Sequence, residues 1–239
     1  MTADAPSAPK GLLARILGVF FAPRETYADI VARPRPLAAL LLVVALIAGV
    51  NYAFLSTEVG QRAWMDQALT QQEAFGFTPT PEAVANLNRM RGNARIFAAG
   101  AIVVFTPLVM TIMAGVLLTV FNAFMGGEAR FAQVFSIVAH SGFIGVFQQL
   151  FVAPLNYARE TMSSATSLAA FLPMLDSASF LGMLLGSVDL FQVWSLISVA
   201  IGLGVLYKRR TAPIAWSLLG TAFVIVLVIT AIKAVRSGA

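Results

Sequence analysis

The 239-residue chain has no cysteine, a single histidine, and only 11% of its residues charged. Without cysteine there is no disulfide, no thiolate metal site, no cysteine nucleophile and no cysteine-linked lipid. One histidine, His140, with no carboxylate cluster beside it in sequence leaves no metal site to expect. HExxH, P-loop and GxSxG patterns are missing, as are paired intramembrane aspartates, so neither catalysis nor a cofactor is expected. The shortage of charge is matched by 59% hydrophobic residues and a mean hydropathy of +0.82. A soluble fold of this length could not cover so much apolar surface, and the class is integral membrane protein. The net charge of +5 would suggest nucleic acid in a soluble chain. Here the basic residues border apolar runs, where they act as topology signals and headgroup contacts, and no nucleic-acid partner is expected.

Five stretches approach the roughly 20 apolar residues that cross a bilayer as a helix. They lie at about 36–55, 96–125, 131–154, 188–207 and 212–232. The runs are continuous rather than alternating, which excludes barrel strands and predicts an all-α polytopic membrane protein with five transmembrane helices. The polar Gly126-Gly127-Glu128 joint separates the second and third spans, and the third carries His140.

Residues 1–9 are small, polar and proline-punctuated, and read as a disordered tail. Arg15 interrupts the apolar run that follows and Pro23 ends it, so export and cleavage are not expected. Residues 10–35 read as an amphipathic helix–Pro–helix with Pro23 in the first turn of its second helix. Leu13, Leu17, Phe20 and Tyr27 would anchor in the acyl region with Arg24 at the headgroups, unless the pair packs on the protein's own cytoplasmic loops. Residues 36–232 then form the membrane domain and 233–239 a short tail. Within the domain, residues 56–95 read as a small helical pair started by Thr57 and by Thr80-Pro81. Residues 165–186 read as short interfacial or re-entrant helices. Pro107 is expected to kink the second span. The small-residue pairs Ala45/Gly49, Ser141/Gly145 and Ala200/Gly204 permit close helix contact, the last two as docking seams for a membrane-protein partner or a second copy.

The tail cations, Arg130 and Lys208-Arg209-Arg210 fall on one side if the N-terminus is cytoplasmic, which favours N-in/C-out across the cell (inner) membrane. Arg89, Arg91, Arg95, Lys233 and Arg236 fall on the other side and weaken the bias. Ionisable groups within a bilayer are functional candidates. Counting helical rise brings Thr111, Ser198 and Thr221 near the depth of His140, predicting a polar layer in which His140 bonds one of those hydroxyls. Asp189, at the outer end of the fourth span, reads as a helix N-terminal acid or the partner of Arg159.

Three segments carry a resemblance: FFAPRETYADIVARPRP at 20–36, GGEARFAQVFSIVAHS at 126–141, and Asp189-Leu190-Phe191-Gln192-Val193-Trp194 running on to Gly202-Leu203. With the span count, they resemble the Yip1 family, especially its bacterial branch. The resemblance implies five helices with a cytoplasmic N-terminus. Eukaryotic relatives act in vesicle trafficking and bind Rab-type GTPases through longer N-terminal domains, whose acidic Tyr-Gly-Pro-containing segment this chain lacks. The expected role is a non-enzymatic membrane-organising or partner-recruiting scaffold in contact with the lipid bilayer. The alternative is a small-solute or ion permease using His140, Asn51 and the Pro107 kink, which requires a water-accessible path to His140.

Overall fold

A computed structural model describes residues 10–172, 174–176 and 179–237; the expected disordered tail, 1–9, lies outside them. Helices dominate. α1 (Leu12–Phe21) and α2 (Pro23–Ala32) meet at Ala22, with Pro23 at the start of α2. α3 (Pro36–Leu55) is followed by the polar pair α4 (Glu58–Ala74) and α5 (Pro81–Arg91), then by α6 (Ala94–Met125) and α7 (Phe131–Arg159). A 3-10 turn (Leu168–Phe171) and the short α8 (Phe180–Gly186) lead to α9 (Leu190–Leu206) and α10 (Thr211–Ser237).

Among the described residues four helices, α3, α6, α7 and α10, are long and apolar enough to span. The remaining expected span, 188–207, is the 17-residue α9. Boundaries follow local chemistry. Thr57 and Thr80 cap α4 and α5 by accepting from the N–H groups of Gly60 (3.0 Å) and Ala83 (3.2 Å). α6 runs unbroken through Pro107 and ends on Gly126 in the left-handed region. α7 continues past Pro154 to Arg159, five residues beyond the expected end at 154, and is capped by a left-handed Glu160, because one missing N–H costs a helix one bond without stopping it. α10 likewise extends through most of the expected 233–239 tail, where Lys233 sits over the Phe75 ring at 5.0 Å.

α7 is the central element, packed against α1, α2, α3, α6 and α9. Its buried residues Val134, Ile137, Val138, Ile144 and Val146 meet Val43 and Val44 of α3, Ala114 and Leu117 of α6, and Val199 and Leu203 of α9 in one core. Close approach relies on glycine at two crossings. A Cβ on Gly202 would lie 2.4 Å from Ile137 Cγ2, and one on Gly142 2.8 Å from Met110 Cε. Ala200 and Gly204 are buried inside the chain, so they are not an outward docking seam; Ala45 and Gly49 face out.

Two ends of the bundle emerge from these contacts. At one, Gln133 Nε2 donates to the Val31 carbonyl (3.2 Å), and Tyr207 Oη donates to Asn122 Oδ1 (2.8 Å) beside the Gly-Gly joint. At the other, Gly76 abuts the backbone of Arg236, which joins the polar α4–α5 region to the end of α10.

Candidate functional site: a buried polar cluster under the N-terminal helix pair

α1 is apolar on two sides, and the structure separates them. Leu12, Ile16, Val19 and Phe20 turn toward the bundle, while Leu13, Leu17 and Phe21 stand out from it, 75%, 60% and 85% exposed. Phe20 meets Phe147 and Trp194 edge-on, with centroids 5.7 and 5.5 Å away. Arg15 lies on the inward side. Its Nε donates to Asp29 Oδ2 at 2.8 Å, and Nη2 donates to the carbonyl of Arg33 at 3.1 Å. Both side chains are largely shielded, 5% and 14% exposed, so each charge relies on the other. Gly18 allows this packing, since a Cβ there would run into Thr26 Oγ1.

Tyr27 is a correction to the expected membrane anchors. It is fully buried, and its Oη and the Ser198 Oγ of α9 are hydrogen-bonded at 2.6 Å. The apolar face of α2 (Tyr27 and Ile30) lies against α7 and α9, where the phenol and the serine hydroxyl satisfy each other. Burial pushes the phenol above its ordinary range, and the Ser198 bond opposes that more weakly. Arg24 stays exposed, at the start of α2.

His140 is fully buried in α7, and its Nδ1 is 2.7 Å from the Ser136 carbonyl, one turn back along its own helix. Nε2 has no partner among the described residues. Among the described residues no hydrogen bond joins His140 to any of the three expected hydroxyls. Ser198 is buried but bonds Tyr27, while Thr111 and Thr221 face outward on α6 and α10. The depth count also missed the buried Arg15–Asp29 pair. One signal pointed to Arg15: it shares a helical face with Val19, four residues on, inside an otherwise apolar run.

Asp189 takes the capping role of the two expected for it. Oδ1 accepts from the Phe191 N–H (2.8 Å), and Oδ2 accepts from Thr166 Oγ1 (2.6 Å) and Ser164 Oγ (2.5 Å). These bonds tie the loop after α7 to the start of α9. Arg159 is exposed and forms no ion pair among the described residues, so the Asp189–Arg159 pair is not made. Nearby, Asn51, Gln148, Gln149 and Asn156 line a cavity of about 150 Å³ between α3 and α7. No group of three or more potential metal-ligating His, Asp or Glu side chains occurs among the described residues.

The arrangement is an interior polar cluster that locks a non-spanning helix pair onto a membrane bundle. No curated protein and no solved structure matches the chain. Residues 17–232, from α1 almost to the end of α10, match the Yip1 domain, and the chain belongs to the Yip1 family of multi-pass membrane proteins.

Proposed function

We propose that this protein is a non-enzymatic scaffold that organises the membrane around it or recruits partners there. In this reading it crosses the cell's inner membrane five times, with α9 as the short fourth span, its N-terminus cytoplasmic and its C-terminus outside. The observation that carries the reading is the stripe Leu13, Leu17 and Phe21, held outward on a helix fixed by the buried Arg15–Asp29 pair and by Tyr27 of α2. An apolar stripe fixed beside the bundle is suited to press into one leaflet as a wedge.

The clean test replaces Leu13 and Leu17 with aspartate and leaves Phe20 alone, because Phe20 belongs to the aromatic contact with Phe147 and Trp194. Wild-type protein reconstituted into liposomes is expected to shrink or tubulate them, and the double variant to lose that effect at unchanged helical content. Vesicles of normal size and shape around the wild type would sink the reading. The permease alternative needs a water path to His140. That residue is fully buried and does not line the polar cavity at Asn51, so no observation favours transport.

A further inference from the structure

We infer that Arg24, Lys208, Arg209 and Arg210 form a binding site for the phosphate of an anionic phospholipid headgroup. The four side chains converge on one open cleft of about 760 Å³, floored by Gly204, Val205 and Ala28. This goes beyond the scaffold reading and does not depend on it.

The turn between α9 and α10 presents three of these cations. The Arg209 N–H bonds the Gly204 carbonyl at 2.9 Å and the Lys208 N–H the Val205 carbonyl at 3.3 Å, which is the paired pattern of a Schellman helix ending. That ending places Lys208 in the left-handed region at φ 53, where glycine is the usual occupant. Lysine there carries backbone strain that a glycine would relieve, and strained positions concentrate where function holds them. Gly204 lets the turn fold back: a Cβ on it would sit 3.1 Å from both the Arg209 carbonyl oxygen and Thr211 Oγ1. The fourth cation, Arg24, comes from α2, three residues before the Tyr27 that is anchored to Ser198.

The charges are free for a ligand. None of the four cations takes part in an ion pair among the described residues, where the pairs are Arg15–Asp29 and Arg62–Glu58. One carboxylate, Glu25, shares the cleft and leaves it strongly positive. A role in setting topology accounts for basic residues at a span border. It does not account for an arginine from a non-spanning helix joining them, nor for lysine in a slot that glycine fits.

The surroundings select a lipid over a free anion. Arg209 and Arg210 also border a second hollow with Phe124, Pro213 and Ile214, and Phe124 is 86% exposed. Trp216 stands out from the next turn of α10. A phosphate held by the cations would place its acyl chains on this apolar wall, and arginines supply forked donors that match phosphate oxygens.

The test uses the full chain purified in a neutral detergent and titrated with dioctanoyl-phosphatidylglycerol, dioctanoyl-phosphatidylcholine or inorganic phosphate. Saturable binding is followed by tryptophan fluorescence and thermal shift. Phosphatidylglycerol is expected to bind at least about tenfold more tightly than phosphatidylcholine, and each lost cation to weaken it about fivefold. Lys208→Gly should show that loss while keeping or raising the unliganded Tm, because its backbone suits the slot. Arg209→Gln/Arg210→Gln should lose about 25-fold, whereas Arg62→Gln, in α4, should change nothing. Equal affinity for phosphatidylcholine, or unaltered binding by Lys208→Gly, would overturn the site. Inorganic phosphate binding as tightly as phosphatidylglycerol would overturn the lipid assignment in favour of a free-anion site.

Discussion

α7 and α10 are nearly equal in length, at 29 and 27 residues, yet they solve opposite problems. The mean hydropathy of the spanning window is 1.4 in α7 and 2.5 in α10, and 61% of the first window is buried against 11% of the second. The helix less suited to lipid is the one the protein shields from it. α7 carries Ser136, His140 and Ser141 into the centre, where their polar atoms meet backbone carbonyls, except Ser136 Oγ and His140 Nε2. α10 turns Phe223, Val224, Ile225 and Val228 outward and packs chiefly on α9. Because lipid tails are as apolar as leucine, polar and close-packed contacts rather than hydrophobicity distinguish inside from outside.

The comparison breaks most visibly where charge is buried. Arg15→Ala leaves Asp29 shielded and unpaired, and truncating one partner of a buried pair costs about 3–5 kcal/mol. The expected outcome is a large fall in thermal stability in detergent, with α1 and α2 becoming the first protease-sensitive segment. Unchanged stability would show that the N-terminal pair is not held by the ion pair.

Gly202→Ala probes close packing at the same interface. The added Cβ meets Ile137 Cγ2 at 2.4 Å and Tyr27 Cδ1 at 3.2 Å, so α2, α7 and α9 must shift together. Overpacking of this kind costs about 1–3 kcal/mol. Equilibrium unfolding that matched the wild type would mean the crossing is looser than the contact implies.

These contacts also mark where sequence reasoning stops. Helix positions were legible because Pro36, the Gly126-Gly127 joint and Lys208-Arg209-Arg210 punctuate apolar runs at spanning intervals. The facing of the helices was not. Counting rise places Thr111 and Thr221 near the depth of His140, but depth carries no azimuth, and both hydroxyls turn outward. α1 has apolar stripes on two sides, so its period cannot choose between Leu12/Ile16/Phe20 and Leu13/Leu17/Phe21. Tyr27 was visibly on an apolar face. Its partner Ser198 lies 171 residues away, and no local pattern links the two.

Tyr27→Phe isolates that long-range bond. The ring and its packing remain, and only the hydroxyl contact with Ser198 is lost. A single buried hydrogen bond contributes about 0.5–1.5 kcal/mol net, so a modest fall in Tm is expected. Ser198→Ala should cost a similar amount, and the double variant less than the sum if the two hydroxyls act as a pair. Strict additivity in that cycle would separate them.

The smallest effect is expected on the lipid side. Gly220 of α10 has no neighbouring atom within 4 Å of where a Cβ would stand, and Thr221 beside it is exposed. Gly220→Ala adds a methyl group to open surface and improves intrinsic helix preference, so stability should move by no more than about 0.5 kcal/mol. The same glycine-to-alanine change is therefore predicted to be disruptive in α9 and nearly silent in α10. A substantial loss from Gly220→Ala, above all one that grows with protein concentration in the membrane, would mean that this face of α10 is covered by a second protein surface, and that α10 resembles α7 more than its exposure in the single chain suggests.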